Sequence, residues 1–142
     1  MAADRTQTDL TMRDRIRTLL DEGATAALAT LLVSEGLETG AKLLISERGE
    51  TIGDLGDATL NDAALVQAKQ FLASRDEARS ISASEFAPQF PLAKETLVLF
   101  ERIESEPRLI VAGAGHVGAS LARLAADAST TAISERIHLR II

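Results

Sequence analysis

The glycines at 113, 115 and 118, in the order G-x-G-x-x-G with His116 inside the motif, are the residues here best suited to chemistry. Glycines at this spacing bring backbone N–H groups up to a phosphate. The first permits a tight turn and the second leaves no Cβ in the path of an anion. The third lets a following helix pack closely on the preceding strand. The helix start adds free N–H groups and a positive dipole end. His116 either touches a ligand phosphate or caps the helix and faces solvent. The competing reading of the motif is a βα turn that packs tightly and binds nothing.

The elements around the motif suit it. Arg108–Ala112 is a short apolar strand, and Ala119–Ala128 is a helix with Leu121, Leu124 and Ala125 as its apolar positions. In Arg136–Ile142, Ile137, Leu139 and Ile141 alternate as in a second strand, while His138 is a surface residue. No Asp or Glu follows this strand to accept a ribose hydroxyl, and no second nucleotide-binding half follows it. The motif therefore predicts one anion contact and not a dinucleotide site.

Upstream, residues 1–9 read as a flexible polar arm. Thr11 and Asp14 resemble a capping box and begin a helix over 12–22, with Gly23 as its C′ residue. Residues 24–34 read as a buried strand, 36–40 as a loop and 41–46 as a second strand. A hairpin turn at 47–50 leads to a returning strand from Thr51. After a turn at 53–57, Leu60, Ala64, Leu65, Ala68, Phe71 and Leu72 lie on one face of a helix over 58–74. A short strand at 78–83, a loop with Pro88 and Pro91 at 84–95, and a strand at 96–103 complete this part. The polar residues 104–107 are a boundary. The expected organisation is an arm (1–9), an α/β domain (10–106) and a C-terminal segment (107–142). The fold class is α/β, a mixed sheet with flanking helices that ends in a truncated Rossmann-like βαβ unit.

Composition narrows the function classes. The chain has 142 residues, 46% of them hydrophobic, so it can bury a core, but aromatics are only 3% and Ala and Leu must do most of the packing. Fifteen Lys and Arg against 21 Asp and Glu give a net charge of −6, which disfavours nucleic acid as a partner. There is no Cys, and two His cannot make a His-rich metal centre. No apolar run reaches the ~20 residues of a membrane span, and no signal segment is visible, so a cytoplasmic protein is expected. Asp54 and Asp57 flank Gly56 as turn residues rather than as a Mg²⁺ pair. Glu101, Glu104 and Glu106 read as a solvated edge. Ser34 and Ser46 have no neighbouring base for a hydrolase triad.

Several passages together resemble the XdhC/CoxI family. Residues Glu106–Ala126, with the run Gly-Ala-Gly-His-Val-Gly at 113–118, are similar to the entry into that family's C-terminal Rossmann domain. Ala29–Gly36 resembles a strand and Glu-Gly turn near the start of its N-terminal domain. Gly40–Gly49 resembles its Gly-Ala-Lys hairpin, Thr51–Gly56 its following turn, and the helix at 58–74 falls where the family has one. The resemblance implies an accessory protein and not an enzyme. Such a protein binds molybdenum cofactor (molybdopterin), protects it during sulfuration and assists its insertion into a xanthine dehydrogenase-like or CO dehydrogenase-like molybdenum hydroxylase. The implied partner is the client subunit of that hydroxylase. Carried onto this chain, the anionic cofactor falls to Gly40 and Lys42, with Gly113, Gly115, His116 and Gly118. Read as structure alone, Lys42 is an exposed hairpin lysine.

Three loops depart from the family pattern. Leu37–Thr39 stands where Ser, Pro and Arg are usual. Gly56–Leu60 stands where glycines run on, and Leu92–Glu95 where a Cys-Gly-Gly segment is expected. Asp54, Asp57 and Glu38 would repel a pterin phosphate. These departures support an alternative, a homologue without cofactor that acts through protein–protein contacts. A second alternative, an NAD(P)-dependent oxidoreductase fragment, is opposed by the missing ribose carboxylate. A half-built parallel sheet leaves an open edge, which predicts a homo-oligomer.

Overall fold

The computed structural model describes the backbone of residues 2–106, 108–111, 115–131 and 138–141, and the side chains of 6–106 and 115–127. The chain forms two compact units, Met1–Glu104 and Ser105–Ile142.

The first unit is an antiparallel five-stranded sheet in the order β3-β2-β1-β5-β4 with helices on its faces. Its strands are β1 (Ala26–Val33), β2 (Lys42–Ser46), β3 (Thr51–Gly53), β4 (Ala78–Ser82) and β5 (Leu97–Ile103). The near-continuous apolar run of β1 makes it the central strand. Ala29 lies opposite Leu43 on one side and Phe100 on the other. Alternate residues serve two clusters, as the period of two in a strand requires. Ala27, Ala29 and Leu31 join Ile45, Val98 and Phe100 in the larger cluster, under α2 (Ala58–Ala73). Ala26 and Leu44 face the other way and pack with Met12 and Leu19 of α1 (Ala2–Asp21). The scarce aromatics are concentrated in the larger cluster: the Phe100 ring centroid lies 6.0 Å from that of Phe71 and 5.6 Å from that of Phe86.

Local signals in the sequence explain most boundaries. Gly23 ends α1 with φ +68. Its N–H donates to the Leu20 carbonyl, and that of Ala24 donates to Leu19, the paired bonds of a Schellman C-cap. Gly49, at φ +87, closes the β2–β3 hairpin. Asp57 caps α2. At the other end of α2, the Arg102 guanidinium donates to the carbonyls of Leu72 (3.0 Å) and Ser74 (2.7 Å), satisfying groups that a helix end leaves open.

Some expectations need revision. The helix expected at 12–22 begins at Ala2, so the backbone of the arm expected at 1–9 is helical from that residue on. Thr11 does not cap: its hydroxyl donates to the Gln7 carbonyl one turn back, a bond available only inside a helix. The sheet expected to be mixed is antiparallel throughout the first unit, and parallel pairing is found in a separate sheet. The loop expected at 84–95 contains two helical turns, α3 (Ala83–Phe86), capped by Ser82, and a 3-10 turn at Ala93–Glu95.

In the second unit, β6 (Arg108–Val111) pairs in parallel with β7 (His138–Ile141), and α4 (His116–Thr131) lies between them in sequence. Leu109 is opposite Leu139 and Val111 opposite Ile141. The helix expected from Ala119 starts three residues earlier.

Candidate functional site

Gly40 and Lys42 are set by the junction of β1 and β2. Gly40 has φ +87, a conformation other residues adopt only with strain, and its N–H donates to the Leu31 carbonyl at 2.7 Å. The Leu31 N–H in turn donates to the Ala41 carbonyl at 2.9 Å. This brace places Lys42 at the first position of β2, opposite Thr30.

Lys42 is not the exposed hairpin lysine of the structural reading. It is half-buried, and its Nζ donates to the Thr30 hydroxyl at 3.0 Å. Among the described residues no carboxylate forms an ion pair with it. The strand register explains this: cross-strand partners sit within side-chain reach, and the partner here is a threonine.

Gly40 and Lys42 line an open groove of about 1030 Å³, together with Asp9 and Met12 of α1, Glu38 between β1 and β2 and Asp54 after β3, so three carboxylates line the groove with the one lysine. Gly53 also lines the groove. Its φ is +101, and a Cβ there would strike the Lys42 carbonyl oxygen and lie 2.8 Å from Met12 Cε. The Asp54 N–H beyond it donates to that same carbonyl at 3.0 Å. Sequence reasoning treated Gly53 as a turn residue. Its doublet with Gly56 was the available signal, but the close approach to Lys42 depends on strand pairing.

The loop after β3 offers an anion little. The Gly56 N–H donates to Asp54 Oδ1 at 2.7 Å, and the Leu55 N–H to Asn61 Oδ1 at 2.9 Å. The Leu60 N–H donates to Asp57 Oδ1 at 3.0 Å, and the Asn61 N–H to the Asp57 carbonyl. Asp54 also accepts from Asn61 Nδ2 at 2.8 Å. Asp54 thus acts as a turn residue, as its placement beside Gly56 predicted, whereas Asp57, expected as a turn residue too, caps α2. Among the described residues no group of three or more His, Asp or Glu is placed to hold a metal ion. Ser34 accepts from the Thr96 hydroxyl at 3.1 Å, and Ser46 from the Glu50 N–H at 3.1 Å, so both hydroxyls have structural partners.

Of the glycine motif, Gly113 lies outside the described residues. Gly115 is exposed, with open space where a Cβ would stand. His116 is the first residue of α4 and is exposed, and its carbonyl accepts from the Ser120 hydroxyl at 3.0 Å. Gly118 is half-buried in the first turn. The Gly115 carbonyl accepts the helical bond from the Ala119 N–H at 3.0 Å. Gly40 and Lys42 therefore share a groove in the first unit, and the described glycines of the motif belong to the second.

Residues 19–81, from the last turn of α1 into β4, match the XdhC and CoxI family, the family the sequence resembles. That family is associated with accessory proteins of molybdenum cofactor maturation. The matched stretch includes Gly40, Lys42 and Gly53 and ends before the glycine motif. No curated protein matches the chain. No helix among the described residues is long and apolar enough to cross a membrane.

Proposed function

With residues 19–81 carrying the pattern of the XdhC and CoxI family, we propose that this chain binds molybdenum cofactor as cargo and assists its insertion into a molybdenum hydroxylase. The supporting observation is Lys42: a half-buried ammonium, held by one hydroxyl and no carboxylate, on the wall of a groove of about 1030 Å³. Such a group attracts an anion, against the repulsion of the Asp9, Glu38 and Asp54 carboxylates that line the same groove. The donor set fits one anionic group at Lys42. It does not extend to the Leu55, Gly56 and Leu60 amides after β3, which are already bonded within the chain. Lys42 orients the anion, Gly40 holds the turn that places Lys42, and no covalent step is required. Gly115, His116 and Gly118 at the start of α4, with Gly113 before them, are proposed as a further anion contact within the second unit. The reading implies a cytoplasmic protein that meets a hydroxylase subunit. It also includes self-association, because both strands of the β6–β7 sheet are edges among the described residues.

Titration of the pterin cofactor into the purified chain and into Lys42→Ala tests the reading. The variant is expected to bind about tenfold more weakly, the equivalent of ~1.4 kcal/mol. Equal affinity in a well-folded variant would remove Lys42 from the site.

The closed loop after β3 also favours a second reading, a homologue without cofactor that acts only through protein contacts. Pterin-free protein that captures a hydroxylase subunit, and that shows no saturable uptake of cofactor, would decide for it.

A further inference from the structure

We propose that the outer edge of β4 pairs with β4 of a second copy, antiparallel and centred on Ser80, so that two five-stranded sheets join into one. This deepens the proposed self-association by giving it an interface in the first unit, and it leaves the reading of Lys42 untouched. β4 is the last strand in the order β3-β2-β1-β5-β4, and among the described residues only β5 pairs with it. The alternation of an antiparallel ladder fixes which of its backbone groups are already bonded. Just before the strand the Glu77 carbonyl accepts from the Arg102 N–H at 2.7 Å, and just after it the Ala83 N–H donates to the Thr96 carbonyl at 2.9 Å. Between these bonds the register runs without a shift, from Ala78 opposite Glu101 to Ser82 opposite Leu97. Arg79 and Ile81 therefore bond inward to β5, and Ala78, Ser80 and Ser82 turn their N–H and C=O groups outward. Residues 75–80 are all exposed.

Proteins guard an open edge with charges, a proline or a bulge. The five residues of β4 include no proline, the pairing with β5 has no bulge, and the one charge, Arg79, pairs with Asp76 at 4.0 Å. The side chains select the occupant, because a twofold contact must be self-complementary. Centred on Ser80, two copies overlap along the whole strand: Ser80 lies opposite Ser80, Ala78 opposite Ser82 and Arg79 opposite Ile81. One face of the new ladder then carries only small uncharged residues, and no charge meets its own copy. Every other centre shortens the overlap, and the one at Arg79 also sets two arginines directly opposite, which is unfavourable.

The chain has no cysteine, so a single introduced one reports the register. Residues opposed as a hydrogen-bonded pair lie about 5.5 Å apart at Cα, inside the range a disulfide spans, whereas two copies offset by two residues exceed about 7 Å. Ser80→Cys is expected to form disulfide-linked dimers under mild oxidation about tenfold faster than Arg79→Cys. Ser80→Pro removes an N–H that faces outward, so β4 keeps its bonds to β5. Its dimerisation, followed by sedimentation equilibrium across a concentration series, is expected to weaken about thirtyfold through the two bonds lost at the twofold axis. A wild-type circular dichroism spectrum verifies that the sheet is intact. Ser80→Lys supplies the same test without a proline: two ammonium groups meet at the axis, and the dimer is expected to weaken at low salt and to recover as salt screens them. Equal crosslinking of the two cysteine variants, or wild-type dimerisation in both Ser80→Pro and Ser80→Lys, would overturn the β4 pairing and leave self-association to the β6–β7 edge. A chain that stays monomeric at every concentration would overturn the pairing and the proposed self-association together, while the Lys42→Ala titration judges the cargo reading separately.

Discussion

Helices α2 and α4 are both 16 residues long, and each follows a turn containing glycine, yet they are finished in opposite ways. In α2 the start is closed by the Asp57 carboxylate, and the turn before it is bonded to Asp54 and Asn61. Its inner face buries Leu60, Ala64, Ala68 and Phe71 against the five-stranded sheet. Before α4 Gly115 is exposed, as are its first two residues, His116 and Val117. Ala125 is buried there, while Val117, Leu121 and Leu124 are 75%, 44% and 66% exposed. The difference teaches that a glycine turn before a helix is only an opportunity for an anion. Whether the opportunity survives depends on the residues that follow: an aspartate at the cap takes the amides for itself. It also teaches that an amphipathic sequence does not ensure a covered face, since α4 keeps three large apolar residues in solvent.

Truncation of the buried face of α2 is the strongest way to break this comparison. Phe71→Ala removes a ring that is 3% exposed, packs on Phe100 and lies 5.8 Å under the Arg102 guanidinium. A loss of about 3–5 kcal/mol is expected in urea unfolding of the full chain, from burial and the cavity left behind. A loss below ~1 kcal/mol would mean that the α2 layer is not the main support of the first unit.

Removal of the cap tests the closed helix start. Asp57→Ala leaves the Leu60 N–H without its acceptor and is expected to cost about 1 kcal/mol. Phosphate titration of this variant sharpens the point, because a new shift at the Leu60 amide is expected only if the carboxylate is what excludes an anion there.

The smallest effect is expected on α4. Leu124→Ala trims a side chain already largely in solvent, so stability is expected to change by no more than ~0.5 kcal/mol. A larger loss, measured as a function of protein concentration, would show that α4 is covered in solution by another copy.

Legibility in the sequence followed the range of each signal. Gly23, Gly49 and Asp57 act within a few residues of themselves, so the end of α1, the hairpin and the start of α2 could be read directly. The start of α1 could not, because Thr11 and Asp14 carry a capping pattern that serves equally well inside a helix. At the site, the Gly40–Lys42 pair was legible only through resemblance to a family. Its composition and spacing are too common to mark chemistry, and Gly53 was legible only as a turn.

By itself, the sequence determined the strands, through apolar runs such as 26–33, and the main turns, through glycines that alone accept positive φ without strain. It also placed the start of α2 after the turn at 53–57, where Asp57, read there as a turn residue, caps the helix. Only the tertiary structure decided what Lys42 meets. Its partner Thr30 is twelve residues away, and the two are opposed because β1 and β2 pair in that register and not one residue over. A shift of one residue would turn Lys42 toward the opposite face of the sheet. The groove depends on a longer reach, since α1, the β1–β2 junction and the turn after β3 must all be in place before its walls exist. Local chemistry sets backbone conformation, whereas the neighbours of a side chain are set by pairing and packing of segments far apart in the chain.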